Sequence, residues 1–445
     1  MDLQGRRVLV VGLGGSGIAA ARLCARRGAK VTGLDAKKDV DASVRALDGQ
    51  GITLALGSNE AADPTQFDLV VVSPGVPMFA GLAAADGKGI PIWGEVELAV
   101  RMMKHAAPIA AIGGTNGKST TTSLVAELLA EPGKRVFAGG NLGEPLANHD
   151  DERFDAIVLE VSSFQMERVD LFQPKSASLL NVTEDHLDRY PSFDAYAAAK
   201  GNCFRRQIES DVAVVPFGDD VCMREAKRGR GRIVTFGVDA RADVVVERDA
   251  IVDRVANQRF ARAEISLQGG HNALNVAAAL AMLAPFTVAE PHRRRVLSTF
   301  RGLAHRMVLV TELDGVRWYD DSKGTNVGAV VTALAGVTEE KAVLIAGGKD
   351  KGGSYEPLAL ALEKKGRAAV LLGEAAPLIE RAIGDRLPVV RATDMDDAVR
   401  KARSLARRGD CVLLSPACSS FDMYRDYKHR GDEFVRAVLA LKGSG

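Results

Sequence analysis

The chain has 445 residues, 47% of them apolar and 26% charged. That is the balance of a globular protein and, at about 150 residues per domain, a length for roughly three domains. Lys and Arg number 58 against 57 Asp and Glu, so the net charge of +1 supplies no global field for nucleic acid or an acidic membrane. Cys24, Cys203, Cys222, Cys411 and Cys418 are scattered and form no CxxC pair, which excludes a disulfide framework and favours buried thiols in a reducing compartment.

Residues 1–7 lead into an apolar run ending at Val11, too short for a secretory segment. The longest apolar stretch, Val276–Phe286, is broken at Pro285 and falls short of the ~20 residues a membrane helix needs. A cytoplasmic protein is expected. Strands are predicted at Arg7–Val11, Lys30–Leu34, Leu69–Val72, Ile109–Ile112, Asp155–Leu159, Ser178–Val182, Asp211–Val215, Met307–Thr311, Val343–Ala346, Ala368–Leu372 and Cys411–Leu414. Helical spacing marks Ser16–Arg27, Glu95–Met103, Ser119–Leu129 and Ala273–Leu283. The alternation predicts α/β domains with parallel sheets. The expected divisions are 1–94, 95–303 and 304–445.

Gly12-Leu13-Gly14-Gly15-Ser16-Gly17 follows the first strand and opens a helix, matching G-x-G-x-x-G in context, with Asp35 at the end of the next strand. Such a turn holds a pyrophosphate, that of NAD or of a UDP-sugar. Ser73-Pro74-Gly75-Val76-Pro77 adds a turn on the same expected sheet edge.

Between the strand Ile109–Ile112 and a helix lies Gly113-Gly114-Thr115-Asn116-Gly117-Lys118-Ser119-Thr120. Glycines let successive amides curl toward phosphate oxygens, Lys118 reaches the β/γ-phosphates, and Ser119 or Thr120 offers Mg²⁺ a hydroxyl. Ile112 stands where G-x-x-x-x-G-K-[ST] requires its first glycine, so the loop is a shortened variant. It predicts ATP binding, which makes a redox role for the first turn less natural.

Glu160 ends a buried run and is placed either to hold Mg²⁺ or to sit as an acid at a helix start. Asn181-Val182-Thr183-Glu184-Asp185-His186-Leu187-Asp188 gathers metal-binding or proton-transferring groups. Lys200, in Ala197-Ala198-Ala199-Lys200-Gly201, reads from spacing as a helix-surface lysine. Asn272 and Asn275 either cap the following helix or face a nucleotide. Three loops after strands, Asp320–Asn326, Gly347–Gly353 and Ser415–Phe421, are rich in Lys, Ser and Thr and would converge on one sheet edge.

With these motifs assembled, together with Gly140-Asn141-Leu142-Gly143 and Gly302-Leu303-Ala304-His305-Arg306, nearly the whole chain resembles the Mur ligases of peptidoglycan synthesis. The resemblance implies an N-terminal Rossmann-like domain, a central ATPase-like domain with a parallel or mixed sheet, and a C-terminal Rossmann-like domain. It implies an ATP-driven amide ligase that activates UDP-N-acetylmuramoyl-L-alanine as an acyl phosphate and joins it to D-glutamate, acting as a monomer without nucleic-acid or membrane partners. Carried onto this chain, Gly113–Thr120, Asn272, Arg306 and Asp321 would contact ATP, with His305 beside it. Gly14, Gly15, Ser16, Gly17, Asp35, Ser73, Asn141 and His186 would contact the UDP substrate. Thr325, Lys351, Ser420, Phe421 and Tyr427 would surround D-glutamate. Ser119, Glu160, His186 and a carbamylated Lys200 would hold Mg²⁺, with Lys118, His186 and Lys200 as the catalytic set. Closure of the domains on the substrates is expected.

Overall fold

The computed structural model describes residues 2–187, 189–267 and 269–441, so Asp188 of the acidic cluster lies outside the described residues. Among the described residues twenty strands form three sheets. The first holds β1 (Arg7–Val11), β2 (Lys30–Asp35), β3 (Thr53–Leu56), β4 (Leu69–Val72) and β5 (Ile92–Trp93), all parallel, in the order β3-β2-β1-β4-β5. Leu9, Val11, Leu34, Val70 and Val72 form its core on one face. Strands covered on both faces need continuous β-branched and aliphatic runs, which is why these were visible in the sequence.

The second sheet is built from β6 (Ile109–Gly113), β7 (Val136–Gly140), β8 (Ala156–Glu160), β9 (Ser176–Leu179), β10 (Val212–Pro216), β11 (Arg232–Gly237), β12 (Val244–Val246), β13 (Ala250–Asp253) and β14 (Gln258–Ala261). Its order is β14-β13-β12-β11-β10-β9-β6-β8-β7, parallel except where β13 meets β12 and β14. Ile112 pairs with Glu160 and Gly113 with Leu179, so the chain leaves β6, β8 and β9 side by side at one edge.

Four strand readings shift: Asp155, Asp211 and Met307 precede their strands, and Ser178–Val182 moves toward the N-terminus. Asp155 is exposed and precedes the strand, where its carboxylate accepts the Arg135 N–H at 2.7 Å. The strand expected at Ser178–Val182 occupies Ser176–Leu179 instead, because Asn181 turns out of the sheet to bind the phosphate loop.

The third sheet comprises β15 (Val308–Leu313), β16 (Val316–Asp320), β17 (Ala342–Gly347), β18 (Gly366–Leu372), β19 (Val389–Arg391) and β20 (Cys411–Leu414). The order is β15-β16-β20-β17-β18-β19, with only β15 antiparallel to its neighbour. Leu344, Leu358 and Leu413 lie in the core on one face, and Trp318, Ile345 and Phe434 on the other.

The chain packs into two compact units. One joins Met1–Val182, Asp194–Ser266 and Ala273–Phe300; the other joins Thr183–Phe193, Leu267–Asn272 and Arg301–Gly445. The first unit therefore contains two sheets, knit by charge. Arg26 and Arg27 meet the buried Asp150 at 2.5 and 2.7 Å, and Glu95 accepts the Ala147 N–H at 2.7 Å. Burial pushes the Glu95 carboxyl up to about 7, a shift the Ala147 hydrogen bond only partly offsets.

Candidate active site

In the first unit, the helix Lys118–Leu129 begins directly after Gly117, whose φ of 83° suits only glycine. A β-carbon there would lie 2.5 Å from Asn275 Oδ1. The start carries no side-chain cap, the form that presents backbone amides to phosphate. Asn181 clamps the loop: its carbonyl accepts the Thr115 N–H at 2.9 Å, and its amide oxygen accepts the Asn116 N–H at 2.8 Å. Lys118 arcs back, donating to the Thr115 carbonyl at 2.7 Å. Ser119 and Glu160 are both buried, and Asn141 Nδ2 donates to Glu160 Oε1 at 2.5 Å.

Lys200 is not the surface lysine its spacing suggested. Only 4% of it is exposed, and its Nζ donates to the Gly114 carbonyl at 2.8 Å while lying 4.6 Å from the Tyr196 ring centroid. Tyr196 in turn is 3.2 Å from Thr115 Oγ1. The small side chains of Ala197 and Ala199 are themselves buried, so the helix Phe193–Gly201 packs along this face and its lysine turns inward. Asn272 also departs from a capping role, because the helix starts at Gly270 and places it inside the first turn.

The glycine turn contains two kinds of glycine. At Gly12, with φ 83°, a β-carbon would come within 2.7 Å of Val76 Cγ2, and at Gly17 it would overlap the Gly12 carbonyl. Gly14 and Gly15 have no atom within 4 Å of that position. Asp35 accepts the Leu13 and Lys37 amides at 2.8 and 2.9 Å, and Ser73 Oγ donates to the Gly12 carbonyl at 2.6 Å. Both side chains thus shape the turn itself.

In the second unit, a cavity of about 270 Å³ is bordered by Glu184, Asp185 and His186 on one side. Asn326, Lys351 and Tyr355 border it on the other. His186 adopts φ 55°, its N–H donating to Asp185 Oδ1 at 3.0 Å, and Asn326 Nδ2 donates to Asp185 Oδ2 at 3.5 Å. Ala417, at φ 62°, donates its N–H to the Gly324 carbonyl at 2.9 Å. Non-glycine residues held in this conformation are costly and gather at functional sites.

Pairing of Asp320 with Leu414, and of Ile345 with Leu414, lets the three C-terminal loops leave adjacent strands. Asp321 is buried and accepts a hydrogen bond from Ser415 Oγ at 2.6 Å. Burial raises its carboxyl to about 7, against the opposing Ser415 bond and Arg306 charge. His305 Nδ1 lies 2.6 Å from Asp320 Oδ2. Buried Arg430 spans two loops, donating to Ser322 Oγ at 3.1 Å, the Ser322 carbonyl at 2.9 Å and the Cys418 carbonyl at 3.2 Å. Burial lowers its pKa to about 10. Of the expected D-glutamate residues, Lys351 lines the cavity, Thr325 is half-buried and Ser420 is buried. Tyr427 stacks under Lys323 Nζ at 4.0 Å, whereas Phe421 is 70% exposed.

Family models match three successive stretches: a Mur ligase MurD-like N-terminal domain over residues 6–94, a Mur ligase middle domain over 112–283, and a Mur ligase glutamate ligase domain over 305–418. A UDP-N-acetylmuramoylalanine--D-glutamate ligase from Syntrophotalea carbinolica is 43% identical over 453 residues, covering 100% of each chain. The chain belongs to the Mur ligase family. A relative of the same description from Pelobacter propionicus is 41% identical over 450 residues, spanning 99% of this chain and 100% of its own. The solved MurF ligase of Thermotoga maritima in complex with ADP shares the fold, with a TM-score of 0.63 at 17% identity over 100% of this chain and 97% of that one. Among the described residues no helix is long and apolar enough to cross a membrane.

Several features of this Mur ligase escaped the sequence reading. Tyr196, Tyr355 and Arg430 stand in ordinary helical or loop contexts, and Asn181 and Asp350 lie inside named motifs that gave neither a role of its own. A usable signal existed for Asn181 alone, a polar residue directly after a buried strand.

Proposed function

We propose that this Mur ligase joins D-glutamate to UDP-N-acetylmuramoyl-L-alanine, converting ATP to ADP and phosphate. The observation that carries this reading is identity above 40% along the full chain with relatives named for that reaction. The γ-phosphoryl group passes to the substrate carboxylate, ADP leaves, and an acyl phosphate replaces a poor leaving group with a good one. The D-glutamate nitrogen then attacks the acyl carbon, loses a proton, and phosphate departs as the amide forms.

Lys118 spreads the charge that builds on the transferred phosphoryl group, and the loop amides hold its oxygens. Mg²⁺ fits Ser119 and Glu160, hard oxygen donors buried beside the loop, and when bound it neutralises phosphate charge. His186 and a carbamylated Lys200 are assigned to a second ion; carbamylation requires a neutral amine, and Lys200 is buried against the loop. Asn272, Arg306 and Asp321 are assigned to ATP, with His305 beside it, and Gly14–Gly17, Asp35, Ser73, Asn141 and His186 to the UDP substrate. Thr325, Lys351, Ser420, Phe421 and Tyr427 are assigned to D-glutamate. The divisions are 1–94, 95–303 and 304–445, and the D-glutamate set falls wholly within the last. A cytoplasmic monomer suits substrates that are all small and soluble.

The test is phosphate release from ATP measured with UDP-N-acetylmuramoyl-L-alanine and a panel of amino acids. Release that requires both the UDP substrate and D-glutamate is expected. Equal or faster release with L-glutamate, lysine or diaminopimelate would sink the D-glutamate assignment.

A further inference from the structure

Lys351 sits in a loop that is fixed at one end by backbone packing. Gly347 and Gly348 adopt φ of 120° and 132°, and a β-carbon on either would overlap a carbonyl, of Leu372 and Ser419 respectively. Lys349 bridges to Ser419, its N–H donating to the Ser419 carbonyl at 2.9 Å. Past this anchor the loop is exposed at Gly352, Gly353 and Ser354, and nothing in the glycines themselves selects one conformation.

What selects it is the carboxylate of Asp350. Its Oδ2 accepts the Gly352 N–H at 3.2 Å, which closes a turn with Lys351 as the central residue. Its Oδ1 accepts the hydroxyl of Tyr355 at 2.6 Å. Tyr355 is 8% exposed, its ring is packed among the core residues of the third sheet, and its hydroxyl lies 3.2 Å from Cys418 Sγ in the neighbouring loop. Burial and the adjacent carboxylate push the phenol well above its ordinary pKa, so it stays a donor at every working pH. Asp350, Lys351 and Tyr355 all border the cavity.

We propose that the Tyr355 hydroxyl is a positioning residue for amino-acid binding, holding the Asp350 carboxylate so that the turn presents Lys351 to the acceptor's carboxylate. The inference rests on the assignment of Lys351 to the amino-acid substrate. A phenylalanine at 355 keeps the packing and deletes only the hydroxyl with its contacts to Asp350 and Cys418; a hydrogen bond to a charged group is worth about tenfold to a hundredfold, and part of that, about fivefold to tenfold, reaches the amino acid through the turn.

The experiment is a three-substrate kinetic comparison of the unmodified protein with Tyr355→Phe, Asp350→Asn and the double variant. It uses whichever amino acid the unmodified protein accepts, so failure of the D-glutamate assignment is separable from failure here. Tyr355→Phe should raise KM for the amino acid about fivefold to tenfold, leave KM for ATP and the UDP substrate unchanged, and keep kcat within about twofold. Asp350→Asn should move the same constant, and the double variant should be no worse than the poorer single, because both act through one turn. An unchanged amino-acid KM in Tyr355→Phe, or equal changes in all three KM values, would overturn the proposal. So would fully additive effects in the double variant.

Discussion

The phosphate loop and the C-terminal loop cluster both form at the carboxyl ends of parallel strands, yet they are made by opposite means. Eight consecutive residues make the first, shaped by glycines at Gly114 and Gly117 whose φ of 130° and 83° cost them little. The second draws on five separate segments, around His186, His305, Asp321, Lys351 and Ala417, and holds His186, His305, Met307 and Ala417 at positive φ, at 55°, 60°, 49° and 62°. Ala417 is held there by its N–H to the Gly324 carbonyl, and Arg430 ties the adjacent Cys418 to Ser322. A site coded locally is sensitive to its chemistry; one coded by distant contacts is also sensitive to its frame.

The sharpest separation comes from Lys118→Ala. It removes charge from a loop whose backbone is fixed by its own glycines and Asn181, so turnover should fall by at least about 10³ with thermal stability little changed. Phosphate release beside a melting curve checks both, and activity within tenfold of the unmodified protein would remove Lys118 from the chemistry. Ala417→Val tests the opposite site. A β-branched side chain at φ 62° should destabilise the second unit by about 1–3 kcal/mol, seen as a lowered denaturant midpoint. A midpoint that does not move would mean the conformation carries no strain.

Glu95 supplies a control inside the first unit, visible only as a change with pH. Its folded pKa of about 7 exceeds the unfolded value near 4.3, so the folded state holds the proton over that interval. Its contribution is therefore full below about pH 4 and lost as pH rises toward 7. Urea titrations at pH 5 and pH 7 should show Glu95→Gln losing about 1–3 kcal/mol less between them than the unmodified protein. Parallel profiles would refute the burial argument.

What the sequence revealed follows the same division. Strands β1, β4 and β20 end where their apolar runs end, whereas the adjacency of the Gly113–Thr120 loop and Glu160 comes from the pairing of Ile112 with Glu160, which no local pattern specifies. Lys200 was misjudged because a helix of alanines has no apolar stripe from which to tell its buried side. Arg430 was overlooked for a related reason: it lies among Lys428, His429, Asp432 and Glu433, and only the fold distinguishes the inward arginine from its solvated neighbours. Tyr355 gave no sign, since its hydroxyl finds Cys418 across 63 positions of chain.

The N-terminal turn carries a consequence for how this protein tolerates change. Gly12 and Gly17 are required by the protein's own atoms, so substitutions there should fail in any assay of folded yield. Gly14 and Gly15 face open space, so a library at those two positions would survive selection for expression and be filtered only by selection for growth. Their mutational spectrum would then be a direct image of what the turn binds.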